Sequence, residues 1–142
     1  MRARDLATPR TSIPPSESFG RAVQLVAEQG PILVVDEKRG LLGVVSDETL
    51  LRGLLPAYVR AEDLLAGVLD EQSATTLFVE AQKRKVEELL EVGDVPLVQG
   101  EDSLIEVASV MVRTGSALVA VQEEGRIIGG IALTELLAKL AR

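Results

Sequence analysis

One pattern occurs twice in this chain, and it constrains the fold more than any other feature. Phe19, Ala22, Val23 and Val26 stand at i, i+3, i+4 and i+7, and Leu104, Val107, Ala108 and Met111 repeat that spacing about 85 residues later. Each set is followed by a glycine (Gly30, Gly115) and then by an apolar run, Ile32-Leu33-Val34-Val35 or Ala117-Leu118-Val119-Ala120-Val121. A charged turn comes next, Asp36-Glu37-Lys38-Arg39-Gly40 or Gln122-Glu123-Glu124-Gly125-Arg126. Both copies close on an apolar segment containing glycine and a short helix: Leu41-Leu42-Gly43-Val44-Val45 and Ile127-Ile128-Gly129-Gly130-Ile131. A repeated unit buries its apolar face against its twin, so the chain reads as two related halves.

Period and punctuation order the elements within each half. Thr11-Ser12-Ile13-Pro14-Pro15 reads as a short extended segment, because proline pushes its predecessor out of the helical region. Ser16 is placed to cap a helix that begins near Glu17 and stops at Gly30. Its apolar stripe occupies one face, and Arg21, Gln24 and Glu28 lie on the other. Residues 31–36 and 41–46 are rich in β-branched side chains and bounded by turn residues, which predicts a hairpin of two strands. They are nearly continuous in apolar residues, so the sheet is expected to be covered on both faces. Residues 47–55 return to helix, with Asp47 and Glu48 in the first turn, where the dipole favours acids. The unit is β-α-β-β-α. The second copy gives the same order, with Val95-Pro96-Leu97-Val98 leading, a first helix near Ser103 and a last helix from Thr134 to Leu140.

The expected fold is therefore α/β (α+β), two β-α-β-β-α repeats packed with pseudo-two-fold symmetry. Residues 1–55 form the first repeat, 56–85 a helical connector and 86–142 the second repeat, together one compact module. The connector, from Pro56 to Lys85, is too long and too apolar for a flexible tether, and two helices are read in it, roughly 61–69 and 73–84. It either completes the core or presents a surface to a partner or second subunit.

Composition narrows the function. Aromatic residues are 2% of the chain and the net charge is −7, which argues against stacking on single-stranded bases and against a nucleic-acid backbone as partner. There is no cysteine and no histidine, so no thiolate nucleophile, no imidazole base and no ordinary zinc set. Acidic pairs such as Asp36-Glu37, Asp70-Glu71 and Glu123-Glu124 sit in predicted turns, where solvated charge is ordinary. Lys83-Arg84-Lys85 reads as a solvated helix end complementing the helix dipole. Gly129-Gly130 lacks the context of a phosphate-cradling loop and reads as close backbone packing. No enzyme activity is expected. The charged N-terminus has no apolar stretch behind it, and no run reaches the ~18 apolar residues of a membrane span, so a cytoplasmic protein without membrane insertion is expected.

The duplicated unit resembles the cystathionine-β-synthase-type (CBS) domain, and two in tandem resemble the CBS pair, or Bateman module. The resemblance rests on Asp5-Leu6, the helix from Ala22 to Ala27, Val34-Val35-Asp36 and Gly43-Val44-Val45-Ser46 in the first copy. In the second it rests on Glu88-Leu89, Val107 to Met111, Val119-Ala120-Val121 and Gly129-Gly130-Ile131. It implies a regulatory module that binds an adenosine derivative such as AMP, ADP, ATP or S-adenosylmethionine between the repeats, with no required cofactor. It also implies a homodimer forming a flat disc of four repeats, and a regulated partner protein, an enzyme or a transporter.

The family's ribose signature is a glycine, two apolar residues, Thr or Ser, two variable residues and Asp. Here the first copy keeps the hydroxyl, Ser46, but has Thr49 at the acid position; the second has Ala132 at the hydroxyl position and Glu135 at the acid. The resemblance thus makes Ser46, Thr49 and Glu135 the candidate ligand contacts, with backbone from Ile32-Leu33 and Leu118-Val119. Plain readings stand beside these: Ser46 and Thr134 as helix caps, Glu135 as a solvated first-turn acid. The helix-to-strand segment of each copy is short, Pro31 removes a backbone donor there, and Asp47 and Glu48 disfavour a polyphosphate unless a divalent metal bridges it. The competing expectation is a structural or interaction module with degenerate pockets that dimerises and docks on a partner without a nucleotide. A third, a small α/β enzyme using Asp47 and Glu48, lacks the residue set for turnover.

Overall fold

The structure is a computed structural model and describes residues 1–54, 71–90 and 93–141. The first repeat contains β1 (Ser12–Ile13), α2 (Phe19–Gln29), β2 (Ile32–Asp36), β3 (Gly40–Val45) and α3 (Asp47–Leu54), preceded by the short helix α1 (Ala3–Leu6). Helix α4 (Glu71–Gln82) and a 3-10 turn (Val86–Leu89) lead to the second repeat: β4 (Leu97–Gln99), α5 (Leu104–Thr114), β5 (Leu118–Glu123), β6 (Arg126–Ala132) and α6 (Leu133–Leu140). The β-α-β-β-α order read from the sequence is thus present twice. Of the two expected connector helices, 73–84 corresponds to α4; 61–69 lies outside the described residues. No helix among the described residues is long and apolar enough to cross a membrane.

Each repeat makes its own three-stranded sheet, ordered β1-β2-β3 and β4-β5-β6. The first pairing is parallel and the second antiparallel in both. Both hairpins carry a register shift at the matching place, after Val34 in one and after Val121 in the other. A bulge at the same point of both repeats marks a shared backbone plan rather than chance similarity of composition.

The sheets are covered on both faces, as the unbroken apolar runs require. On the outer face of the first sheet, Phe19, Ala22, Leu25 and Val26 of α2 and Leu50 of α3 pack on Ile32, Val34 and Val45. The second sheet repeats this with Val107, Val110 and Met111 of α5 and Leu136 of α6 on Val119, Val121 and Ile131. The inner faces meet through Leu33, Leu41, Leu118 and Ala120. The result is four layers, helices–sheet–sheet–helices. Burying a Val, Leu, Ile or Phe is worth about 1.5–3 kcal/mol, so the three clusters dominate stability.

The segments that lead into each repeat are exchanged. α1 docks on the second repeat: the Ala3 amide donates to the Asp102 carbonyl (2.8 Å), that of Arg4 to Gly100 (2.9 Å), and Ala3 is buried in the second helical core. The 3-10 turn does the same on the first repeat, where the Val86 amide donates to Glu17 (2.8 Å), that of Glu87 to Pro15 (3.0 Å), and Val86 joins the first core. Each half is completed by residues that precede the other.

Local capping differs from the sequence expectation in two places. The cap of α2 is Ser18, whose hydroxyl accepts from the Arg21 amide (3.2 Å), and not Ser16. The Pro14-Pro15 turn sets the helix two residues later, where Ser18 matches Ser103, the cap of α5. Thr134 is not the cap of α6; Ala132 holds that position, and the Glu135 carboxylate accepts from its amide (2.7 Å). Gly30 (φ 84°) and Gly115 (φ 67°) close α2 and α5 in backbone conformations that a side chain would strain.

Candidate functional site

Two clefts lie along the seam between the repeats. The larger, about 1070 Å³, is lined by the N-terminal turn of α3, by Leu42 to Val44 of β3, and across the seam by Val95, Pro96 and Thr114 to Ala117. The smaller, about 400 Å³, is lined by Pro9, Arg10, Leu33, Val35 and Ile127 to Gly129. A volume of about 1070 Å³ lies just above the usual range for small-molecule sites, about 300–1,000 Å³.

In the first cleft Ser46 and Thr49 make a reciprocal cap. The Thr49 amide donates to Ser46 Oγ (3.3 Å), the Ser46 amide to Thr49 Oγ1 (3.3 Å), and the two hydroxyls are 3.2 Å apart. Each hydroxyl has one proton and two acceptor sites, and one proton is spent between them. One donor and one lone pair therefore remain for a ligand while α3 stays capped, so the capping and binding readings of Ser46 are compatible. Asp47, Glu48, Glu88 and Asp94 face the same cleft with Arg52 and Arg84. Acids outnumber bases, although Glu48 pairs with Arg52 (2.6 Å) and Asp94 with Arg113 (3.2 Å). Arg84 is not simply part of a solvated helix end: its guanidinium donates to the Gly53 carbonyl in the last turn of α3 (3.1 Å) and is half-buried.

The matching corner of the second repeat, which shares Arg10 and Gly129 with the second cleft, is built differently. Glu135 occupies the position that Thr49 holds in the first repeat, and its carboxylate is already engaged. It accepts from the Ala132 amide, from Thr8 Oγ1 (3.4 Å) and from the Arg10 guanidinium, with which it forms an ion pair. The chain from Thr8 to Arg10 is pinned there because Thr8 and Gly130 exchange backbone hydrogen bonds (3.0 and 2.9 Å). Only glycine permits this approach: a Cβ on Gly129 would overlap the Thr8 carbonyl, and one on Gly130 would stand 2.9 Å from Arg10 Cγ. Close backbone packing is the role expected for that glycine pair.

The candidate contacts do not converge on one point. Ser46 and Thr49 share the first cleft, and Glu135 lines neither cleft and is tied to Arg10. Leu33 borders the second cleft, while Ile32, Leu118 and Val119 are buried in the sheets and line neither. The loop residues beside them, Pro31 and Ser116-Ala117, reach the first cleft instead. Arg10 and Arg84 carried no local sequence signal, because each acts on a residue far away in the chain. At the rim of the second cleft, the Lys38 amide (3.0 Å) and Arg39 guanidinium (2.8 Å) hold the Asp36 carboxyl below its ordinary pKa.

A family model described as the CBS domain matches residues 3–56 and 86–142. Among solved structures, a CBS domain-containing protein of unknown function from Kribbella flavida is 30% identical, with a TM-score of 0.80 over 100% of this chain and 99% of that one. The CBS domain of a membrane protein from Sphaerobacter thermophilus is 23% identical, with a TM-score of 0.71 over 97% of this chain and 86% of that one. CBSX2 in complex with AMP is 22% identical, with a TM-score of 0.66 over 99% and 96%. Comparison with curated proteins gives no match. Two matched repeats, each with its own sheet and a swapped leading segment, place this chain in the CBS domain family as a tandem pair.

Proposed function

We propose that this CBS pair is a regulatory module that binds an adenosine derivative in the first cleft and passes a change in repeat orientation to a partner protein, an enzyme or a transporter. The observation that carries this reading is the open cleft at the N-terminus of α3, where Ser46 and Thr49 retain hydrogen-bonding capacity. The AMP complex of CBSX2, which shares the fold, supports the ligand class. The acidic wall disfavours a bare polyphosphate, so AMP or the cationic S-adenosylmethionine suits it better than ATP without a metal. Binding shifts the repeats only to the extent that the ligand prefers one arrangement.

A second reading has its own support. The acid of the second repeat, Glu135, is taken up in an internal ion pair with Arg10, which is how a degenerate interaction module would look.

A thermal-shift panel with AMP, ADP, ATP and S-adenosylmethionine, with and without magnesium, separates the two. A ligand at about 100 times its Kd adds roughly 2.7 kcal/mol, a shift of several degrees for a chain of this size. Ser46→Ala with Thr49→Val should weaken that ligand about tenfold, the worth of one hydrogen bond. No shift with any compound refutes the sensor and leaves the interaction module.

A further inference from the structure

Two guanidinium groups line the first cleft, and they are engaged differently. Arg52 pairs with Glu48. Arg84 pairs with no acid among the described residues; it gives one N–H to the Gly53 carbonyl (3.1 Å), and the rest of its five donors are left over. Arg84 is half-buried, and no free nitrogen of it is sealed away from the cleft. Its main chain is fixed as well. The Arg84 carbonyl accepts from the Phe19 amide (2.9 Å) at the start of α2, and its amide donates to the Ala81 carbonyl (3.0 Å). A cation held by both main chain and side chain loses little freedom on meeting an anion, which is the requirement for a preorganised receptor. The acids of the cleft are largely engaged nearby. Glu48 pairs with Arg52 and Asp94 with Arg113, while Glu88 accepts from the Lys85 amide (2.7 Å) and Asp47 from the Glu48 amide (2.7 Å). Thr49 and Gly53 stand one helical turn apart on α3 and both line the cleft. The Ser46–Thr49 hydroxyl pair and the carbonyl that holds Arg84 therefore lie roughly 6–9 Å apart along one helix face.

We propose that Arg84 is the anion receptor of this cleft and sets its selectivity, so that the ligand carries one compact anionic group beyond its sugar, as a nucleoside monophosphate does. The proposal rests on the reading of the first cleft as an adenosine site. The sugar hydroxyls meet Ser46 and Thr49, and a 5′-phosphate, one carbon beyond the ring, reaches the guanidinium, whose fork matches two phosphate oxygens. A single guanidinium balances a single phosphate; further phosphates would lie against Asp47 and Glu88 with no second unpaired cation among the described lining residues. S-adenosylmethionine places an ammonium group beside its carboxylate, and Arg84 repels that group. A plainer role for Arg84 is to complement the dipole at the end of α3, which takes one N–H and leaves the others without a task. Arg84 stands outside both segments that the family model matches, 3–56 and 86–142, so the selectivity assigned to it belongs to this chain and not to the repeated motif.

Isothermal titration calorimetry of the full chain with AMP and with adenosine tests this, because the two compounds differ only in the phosphate. Wild type should bind AMP about ten- to a hundredfold more tightly than adenosine, the strength of hydrogen bonds between charged groups. Arg84→Gln should remove most of that gap and leave adenosine within about twofold of its wild-type affinity. Arg84→Lys keeps the charge without the fork and should fall between the two. A role confined to holding the end of α3 would weaken both ligands alike. The wild-type gap should also shrink as salt is raised while adenosine binding holds, a measurement that needs no variant if Arg84→Gln does not fold. Equal wild-type affinities, a gap indifferent to salt, or an equal loss of both ligands in Arg84→Gln would overturn the assignment and leave the adenosine reading standing. Binding of neither compound would overturn both.

Discussion

Glu135→Ala tests whether the Thr8–Arg10 segment is held against α6 by an ion pair or merely decorated by one. Two losses contribute. The carboxylate caps α6 through the Ala132 amide, and losing a cap of this kind costs about 1 kcal/mol. It also takes the Arg10 guanidinium, whose side chain is 22% exposed against 31% for Glu135. Exposed pairs are worth about 0.2–1 kcal/mol and breaking fully buried ones costs about 3–5, so this part-buried contact falls near 1–2 kcal/mol. Together the substitution should cost about 2–3 kcal/mol, or roughly 5–10 °C in Tm. The matching change in the first repeat, Thr49→Ala, removes a neutral cap and should cost about half as much or less. Urea denaturation of wild type, Glu135→Ala, Arg10→Ala and the double variant gives the coupling between the two side chains, expected at about 1–2 kcal/mol. A coupling near zero would show that the pair does not hold the Thr8–Arg10 segment in place. That segment would then be held by the Thr8–Gly130 backbone pairing alone.

The remaining predictions are shorter. Gly129→Ala should cost about 2 kcal/mol in urea denaturation, because the new Cβ meets a carbonyl of the main chain and not a movable side chain. A cost below about 0.5 kcal/mol would mean the N-terminal segment is not pinned there. Ser18→Ala should cost about 1 kcal/mol and Ser16→Ala less than about 0.5, the reverse of the order expected from the sequence. Equal effects would undo the cap assignment. The Asp36 carboxyl has its folded pKa lowered by the Lys38 amide and then by Arg39. Its stabilisation is complete above the ordinary carboxylate pKa and is lost as pH falls through the lowered folded value. Asp36→Asn should therefore flatten the pH dependence of the urea midpoint below about pH 4 and not near neutrality.

What the sequence by itself determined is whatever rests on near neighbours. Period 3.6 along Phe19 to Val26 and Leu104 to Met111, continuous apolar strands and glycines at the helix ends are local signals, and their duplication fixed the unit, its order and the burial of both sheet faces. The start of α5 near Ser103 was legible for the same reason. Ser18 was missed although it stands where Ser103 does in the other copy, because the two prolines before it drew the helix start two residues early. That Ser46 and Thr49 adjoin was legible because a motif at i and i+3 on one helix turn keeps its residues together. The tertiary structure alone decided the exchanged leading segments, the junction of Arg84 with Gly53 and the occupation of Glu135 by Arg10. Glu135 and Arg10 are 125 residues apart, and no periodicity or spacing links them. They meet because Gly129 and Gly130 have no side chains to hold the main chain of Thr8 away, and that closeness puts the guanidinium over the carboxylate. The duplication makes two equivalent helix starts; packing at that glycine pair engages Glu135 in one, while Thr49 faces an open cleft in the other.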